Sequence, residues 1–297
     1  MRWALPFFLL AGCSQPAAIA PGRIVSNNPC IDAILAEIAD PAQIGAVSAW
    51  SHSAQSGSAP LDWARRFPAV GTSAEEVIAA KPALVLTGNL AGSGTNLALT
   101  RAGLKVESIG VPATLAESRA QIVQIANAIG RQRQGQFLLA KIDAATEPAT
   151  PRQSAIIWLA SGFVPGKGTI QDELLARAGF ENASARYGLK QWDVLPLETL
   201  IRNPPDLIFS PDMADGEDGR ALAMRHRVLQ RLEGRTRIVR FPEKLLLCAG
   251  PNIVETMRVL RGGLPSRLRE GSGEGKQAPS SVSGAPLTPP ASGRGIL

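Results

Sequence analysis

One short pattern occurs twice in the chain, and it constrains the fold more than any other feature. The segments Glu75 to Leu86 and Glu198 to Phe209 both read as a short helix that begins at a glutamate, ends before a proline and leads into an apolar run. Proline ends a helix because it lacks a backbone N–H and restricts the residue before it. A continuous apolar run suits a strand buried on both faces. The repeat therefore predicts two similar α/β lobes, with a ligand site in the cleft between them.

The composition is that of a soluble globular protein without a nucleic-acid site. The chain has 297 residues, which is enough for two lobes, and 45% of them are hydrophobic while 19% are charged. The formal net charge is +6, but the basic residues are scattered along the sequence. A nucleic-acid partner would require them to be clustered, so we expect none.

The N-terminus resembles a bacterial lipoprotein signal. Met1 and Arg2 are followed by a short apolar run, Trp3 to Leu10, and then by Leu10 to Cys13, which matches a lipobox. An apolar run this short cannot span a bilayer, and it is typical of a secretion signal. We therefore predict export to the periplasm and lipidation of Cys13, with a lipid anchor as the one membrane contact. The alternative is a plain signal peptide that is cleaved near Ala20, so that Cys13 is lost.

Two further cysteines, Cys30 and Cys248, remain in the exported chain. An oxidising compartment permits one disulfide between them. Two separate free thiols are the alternative, because the sequence does not show whether their Cα atoms lie close together. Neither cysteine belongs to a CxxC motif, so no zinc site is expected.

The segment between the two lobes is predicted to be helical. Thr114 and Glu117 form a capping box, and helical periodicity continues to Ala145 with an interruption at Gly130. The final segment is rich in Gly, Ser and Pro and is predicted to be disordered. The predicted divisions are a signal and tether (1–22), a first lobe (23–112), connecting helices (113–148), a second lobe (149–262) and a tail (263–297).

Four segments together resemble the periplasmic-binding proteins of ATP-driven importers for vitamin B12, ferric siderophores and haem. They are Arg23 to Cys30, Ser73 to Pro82, Pro165 to Leu175 and Cys248 to Pro251. The resemblance implies a class III periplasmic-binding fold, in which two Rossmann-like α/β lobes with mostly parallel sheets are joined by a single long connecting helix. It also implies a monomeric substrate-binding component of an ABC importer, which is not an enzyme and has no cofactor.

The resemblance gives the repeated glutamates a role. Glu75 and Glu198 fall where the vitamin B12 binders carry one glutamate on each lobe for docking to arginines of the permease. Carboxylate–arginine contacts suit such docking. The alternative is that both are first-turn residues favoured by the helix dipole.

The cleft is predicted to hold a metal chelate and not a bare metal ion. The chain has two histidines, His52 and His226, and one tyrosine, Tyr187, which are too few for a closed transition-metal site or a multi-tyrosine ferric site. A corrinoid such as cobalamin is favoured over a ferric siderophore or haem, since Trp192 matches a tryptophan of the vitamin B12 binders. Gly71 and Thr72 depart from that pattern. The predicted ligand-binding residues are Trp50, Ser51, His52, Asn89, Lys167, Tyr187 and Trp192.

Trp50 is a candidate aromatic wall of the cleft, and the alternative is an exposed hairpin aromatic. His52 is a candidate ligand for haem iron or corrinoid cobalt, and the alternative is a loop hydrogen bond. Lys167 lies in a glycine-rich turn that opens a helix and is a candidate contact for an anionic group.

An exported α/β hydrolase is the alternative function. It would require a nucleophile, a base and an orienting acid in mutual reach. The sequence has no Gly-x-Ser-x-Gly elbow, and we predict no catalytic residues.

Overall fold

Two parallel β-sheets organise the chain, each with helices packed around it. A computed structural model describes residues 23–88, 92–150, 153–159, 162–211, 227–228, 230–232 and 234–264. The predicted signal and tether with Cys13, the predicted ligand residue Asn89 and the tail from residue 265 onward lie outside the described residues.

The first lobe contains a five-stranded parallel sheet with the strand order β3-β2-β1-β4-β5. Its strands are β1 (Ile24–Ser26), β2 (Ile44–Ser48), β3 (Ala69–Val70), β4 (Leu84–Gly88) and β5 (Val106–Ile109). Its helices are α1 (Pro29–Ile38), α2 (Leu61–Ala64), α3 (Ala74–Ala79) and α4 (Gly92–Arg101), and a 3-10 turn, Ala49–His52, follows β2.

Helix α1 begins where the chain leaves β1. The side chain of Asn28 accepts hydrogen bonds from the backbone N–H groups of Cys30 (2.8 Å) and Ile31 (3.3 Å). Pro29 occupies the first helical position, where its missing N–H costs nothing. The Asn-Pro turn therefore fixes the start of α1 at the carboxyl end of β1.

The connection between the lobes consists of two helices, α5 (Leu115–Ala128) and α6 (Gln132–Ala145). The expectation of a single long helix is corrected in this detail, because Gly130 has φ +69 and interrupts the helix. A Cβ added at Gly135 in α6 would lie 2.7 Å from the Cβ of Ala126 in α5, so the two helices are in close contact. The connection is thus a helical hairpin.

The second lobe repeats the architecture of the first. Its parallel sheet has the order β11-β10-β6-β8, and β7 and β9 form a separate antiparallel ribbon. The strands are β6 (Gln153–Ile157), β7 (Phe163–Pro165), β8 (Phe180–Asn182), β9 (Trp192–Val194), β10 (Leu207–Ser210) and β11 (Arg237–Arg240). The described helices are α7 (Ile170–Arg177), α8 (Leu197–Arg202), α9 (Lys244–Leu247) and α10 (Asn252–Gly262).

Both copies of the sequence repeat form the predicted helix and buried strand. Glu75 lies in the first turn of α3 and Glu198 in the first turn of α8. The strands that follow, β4 and β10, are buried at every position and each pairs with a neighbour on both sides. The repeat therefore provides an inner strand of each sheet.

The largest hydrophobic core cluster is shared between the lobes. It combines side chains of α1, of the helical hairpin and of the second lobe, including Leu35, Ile125, Leu139, Phe209 and Met257. Leu264 is 4% exposed and belongs to this core, so packed structure extends two residues past Gly262. The lobes are therefore joined by packing as well as by the hairpin.

The longest described helices, α5 and α6, have 14 residues each. Among the described residues no helix has both the length and the apolar character needed to cross a membrane.

Candidate functional site

A cavity of about 300 Å³ lies between the two lobes. On the first-lobe side its walls come from the segments that follow β1 and β5, where the carboxyl ends of parallel strands meet. The second lobe contributes the first turn of α7, the start of the β7–β9 ribbon and the segment after β11. The lining residues are Asn28, Cys30, Ile31, Ile109, Gly110, Val111, Pro112, Ala113, Gln121, Gly168, Thr169, Ile170, Gln171, Gln191, Trp192, Leu246, Leu247, Cys248 and Ala249.

Hydrogen bonds fix the polar residues on the first-lobe side of the cavity. Asn28 caps α1, and a Cβ at Gly88 would collide with its Nδ2 atom, so glycine leaves room for this side chain. Gln121 in α5 donates from Nε2 to the carbonyl oxygen of Gly110 at 2.9 Å. Both amides therefore lie in the wall with defined orientations.

The second-lobe wall is organised around the start of α7. Thr169 caps this helix by accepting from the N–H of Asp172 (3.2 Å), and its hydroxyl donates to the carbonyl oxygen of Gly166 (2.8 Å). Gly166 N–H donates to the carbonyl oxygen of Gln191, which joins this turn to the ribbon. Trp192 is 45% exposed and lines the cavity beside that contact.

The lining of the cavity is uncharged. Among the described residues that line it, none is Asp, Glu, Lys, Arg or His, and most are apolar. The side-chain amides of Asn28, Gln121, Gln171 and Gln191 supply donors and acceptors. Such walls favour a ligand with large apolar faces and neutral polar groups at its edge.

Cys30 and Cys248 form a disulfide in the wall of the cavity. Their Sγ atoms lie 2.05 Å apart and their Cα atoms 5.2 Å apart. Cys30 belongs to α1 of the first lobe and Cys248 to the segment between α9 and α10 of the second lobe. The bond therefore crosses the cleft.

The predicted ligand residues of the second lobe have different positions. Trp192 lines the cavity, and Lys167 is exposed next to the lining residue Gly168. Tyr187 lies outside the lining, and its hydroxyl donates to the carbonyl oxygen of Asn203 at 2.7 Å. Burial raises the pKa of this phenol above its usual value.

The predicted ligand residues of the first lobe lie in the 3-10 turn after β2 and outside the cavity lining. Trp50 is 57% exposed, whereas Ser51 is buried and its hydroxyl donates to Oδ2 of Asp32 at 2.6 Å. The Nε2 atom of His52 is buried without a hydrogen-bond partner among the described residues. A role of these three residues in ligand binding stays a prediction.

Asp32 anchors that turn from within α1. Its Oδ2 atom also accepts from the backbone N–H of Ser48 at 2.8 Å. Burial raises the pKa of this carboxyl to about 7, although the nearby Ser26 and Ser51 hydroxyls and the Ser48 N–H oppose the shift. Asp32 was not a predicted site residue, but an acid beside Ile31, Ile34 and Leu35 on the apolar face of a helix was a usable signal.

The two repeated glutamates are exposed on different lobes. Each lies in the first turn of its helix, where the helix dipole favours a carboxylate. Neither lines the cavity.

Several lining residues were missed by the sequence analysis. Asn28 and Thr169 are helix caps whose motifs are readable, but a cap does not reveal which cleft it borders. Gln121 and Gln171 lie within amphipathic helices and carry no local signal. In the described part of the chain no group of three or more His, Cys, Asp or Glu side chains is placed to hold a metal ion.

A comparison with known protein families finds a match over most of the chain. Residues 24–233 match the family model described as periplasmic binding protein. No curated protein sequence matches the chain.

Solved structures share the fold. Periplasmic heme-binding protein RhuT from Roseiflexus sp. RS-1, in apo form, has a TM-score of 0.61 at 22% identity, over 82% of this chain and 99% of that one. Periplasmic heme-binding protein HutB of Vibrio cholerae has a TM-score of 0.66 at 19% identity, over 81% of this chain and 98% of HutB. Unliganded, reductively methylated FhuD2 from Staphylococcus aureus has a TM-score of 0.59 at 14% identity, over 82% of this chain and 99% of FhuD2. These likenesses confirm the predicted class III periplasmic-binding fold.

Proposed function

Because the chain belongs to the periplasmic binding protein family, we propose that it is the substrate-binding component of an ABC importer for a metal chelate. Proteins of this family bind a transported solute and are neither enzymes nor carriers of a cofactor, so the hydrolase alternative is not supported. The family places the chain in the periplasm. The observation that carries the proposal is the uncharged cavity between the lobes.

The chemistry of the cavity favours a neutral chelate. Haem carries two carboxylates and an iron that takes axial ligands, whereas no described lining residue is a cation, a histidine or a tyrosine. A corrinoid has an apolar ring with amide groups at its edge, which complement the glutamine and asparagine amides of the walls. We therefore favour a corrinoid such as cobalamin over haem, and a neutral ferric hydroxamate siderophore as the next candidate.

The cavity is at the small end of the range for ligand sites, which is roughly 300 to 1,000 Å³. A chelate as large as a corrinoid therefore extends beyond the cavity of about 300 Å³ toward its rim. The exposed lining side chains Val111, Trp192 and Leu247 form apolar parts of that rim. Trp192 offers a flat surface against which a planar ligand packs.

Delivery to the permease is assigned to Glu75 and Glu198. Both carboxylates are exposed and each belongs to a different lobe. Two separated carboxylates fix the orientation of the binding protein if the permease offers an arginine to each. Export and lipid anchoring at Cys13 complete the proposal, since an anchor keeps the loaded protein near the membrane.

The test is a titration with cyanocobalamin, ferrichrome and haem of the exported chain in a lipid-free form, which starts at Ser14, one residue after the proposed lipidation site. Quenching of tryptophan fluorescence is followed with correction for ligand absorption, and binding is confirmed by calorimetry. Trp192→Ala is expected to weaken binding by roughly tenfold or more because it removes a stacking surface. Phe137→Ala is the matched control, since Phe137 is an exposed aromatic residue of α6 that lies outside the cavity lining.

We expect saturable submicromolar binding of cyanocobalamin. Tightest binding of haem would refute the neutral-chelate assignment while leaving the binding role intact. Absence of binding by all three ligands would contradict the chelate class itself.

A further inference from the structure

The disulfide between Cys30 and Cys248 is a second covalent connection between the lobes. The hairpin of α5 and α6 provides the first connection, and the two cysteines are 218 residues apart in the sequence. Both cysteines line the cavity. The lobes are therefore tied together at the ligand site as well as at the hairpin.

Non-covalent contacts hold the same segment of the second lobe. The backbone N–H of Gly250 donates to the buried hydroxyl of Ser118 in α5 at 3.1 Å. Ser58 of the first lobe places its Oγ atom 3.0 Å from Sγ of Cys248. A Cβ added at Gly250, which has φ +66, would lie 3.1 Å from Cγ1 of Ile34 in α1. Residues 248–250 therefore pack directly on the first lobe and on α5.

The segment that the disulfide holds is itself part of the cavity wall. Leu246, Leu247 and Ala249 line the cavity beside Cys248. Leu247 is 50% exposed, and only the short helix α9 precedes the cysteine. The bond to Cys30 is the covalent restraint that holds this wall against the first lobe, in addition to the contacts of Gly250 and Ser58.

We infer that the disulfide is a redox-sensitive clamp, and that its reduction loosens the wall formed by residues 246–249 and lowers the affinity of the cleft for its ligand. The affinity part of this inference rests on the proposed function of the cleft. The bond reduces the number of conformations of the free protein, so less conformational entropy is lost when the ligand binds.

Reduction requires a dithiol, which is either a small molecule or part of another protein in the periplasm. Its thiolate attacks one sulfur of the pair, the other cysteine leaves as a thiolate, and a mixed disulfide forms. The second thiol of the reductant then releases the protein. Two electrons pass to the cysteines, which gain two protons, and the dithiol becomes a disulfide.

A bound ligand must protect the disulfide. Because both cysteines line the cavity, an occupant covers the path of a small reductant to them. Binding and reduction also oppose each other thermodynamically, since a ligand that prefers the oxidised form disfavours the reduced form by the same free energy.

The first test compares the wild type with the double variant Cys30→Ser with Cys248→Ser, in the exported chain and without added reductant. Cyanocobalamin is the probe, and affinity is measured by calorimetry. We expect affinity to fall by roughly tenfold. The matched control is Ser118→Ala, which removes a hydrogen bond to the same segment but keeps the disulfide, and it is expected to bind nearly as the wild type does. Equal affinity of the double variant and the wild type would overturn the clamp's effect on binding.

A second measurement needs no ligand and so separates failure of the clamp from failure of the proposed function. Hydrogen exchange of the backbone amides of residues 245–250, Gly250 N–H in particular, is followed in the oxidised wild type and in the wild type reduced by dithiothreitol. Exchange is expected to be roughly tenfold faster after reduction. Unchanged exchange would overturn the clamp, whatever the ligand proves to be, and this experiment does not depend on the folding of the double variant.

Discussion

The buried carboxyl of Asp32 predicts an unusual dependence of stability on pH. Asp32 is completely buried in α1, and burial raises its pKa to about 7 from a usual value of 3.8. Oδ2 accepts from Ser48 and Ser51, whereas Oδ1 has no hydrogen-bond partner among the described residues. The folded protein therefore holds this group protonated over a pH range in which the unfolded chain ionises it.

The sign follows from linkage. Between pH 3.8 and pH 7 the folded state keeps the proton on Asp32, whereas the unfolded chain loses it. The unfolded state therefore gains stability relative to the folded state as the pH rises through this range. Each pKa unit corresponds to about 1.4 kcal/mol. Between about pH 5 and about pH 8 the free energy of unfolding should fall by about 2 to 3 kcal/mol through this group.

The assay is urea unfolding of the wild type and Asp32→Asn at both pH values. The amide keeps an oxygen that accepts from Ser48 and Ser51 but does not ionise. We expect the wild type to lose about 2 to 3 kcal/mol relative to Asp32→Asn between the two pH values. Asp40→Asn is a control without a pH effect in this range, because the Ala42 N–H and the Arg131 guanidinium hold the pKa of Asp40 below its usual value and its contribution to stability changes only at lower pH. A difference between the wild type and Asp32→Asn that does not change with pH would refute this reasoning.

Three further perturbations follow from the geometry. Glu75→Ala combined with Glu198→Ala should leave chelate binding unchanged and weaken uptake into cells, with exposed Glu181→Ala as the control. Normal uptake by the double variant would contradict the docking role. Gly88→Ala should lower the free energy of unfolding by about 1 kcal/mol or more, because the new Cβ displaces the Asn28 cap of α1. Gly94→Ala is the control in thermal melts, since a Cβ at Gly94 would meet nothing within 4 Å. This variant should stabilise α4 by about 0.5 to 1 kcal/mol. Equal melting temperatures for Gly88→Ala and Gly94→Ala would count against the cap argument.

Much of the fold was readable because the signals are local. The proline that ends each repeated helix and the apolar run after it specify α3 with β4 and α8 with β10. Gly130 was readable as a helix interruption, and it has the positive φ that an interruption of this kind needs. What the sequence did not show is that α6 turns back onto α5, because this depends on contact between distant residues such as Gly135 and Ala126.

The site was harder to predict because its walls come from distant segments. Trp192 was placed at the cleft and lines the cavity, whereas Ser51 and Tyr187 have polar partners elsewhere, Asp32 and the Asn203 carbonyl. The hydrogen-bond partner of a loop side chain is a tertiary property. Gln121 shows the converse case, since only the packing of α5 beside the end of β5 places this ordinary helical residue in the cavity wall.

The most direct test of the central claim is calorimetric titration with cyanocobalamin at low and at high salt. An uncharged cavity that binds a neutral chelate predicts submicromolar affinity that is nearly independent of salt, because no ion pair is screened. Absence of binding, or affinity that falls steeply as salt is added, would contradict the account.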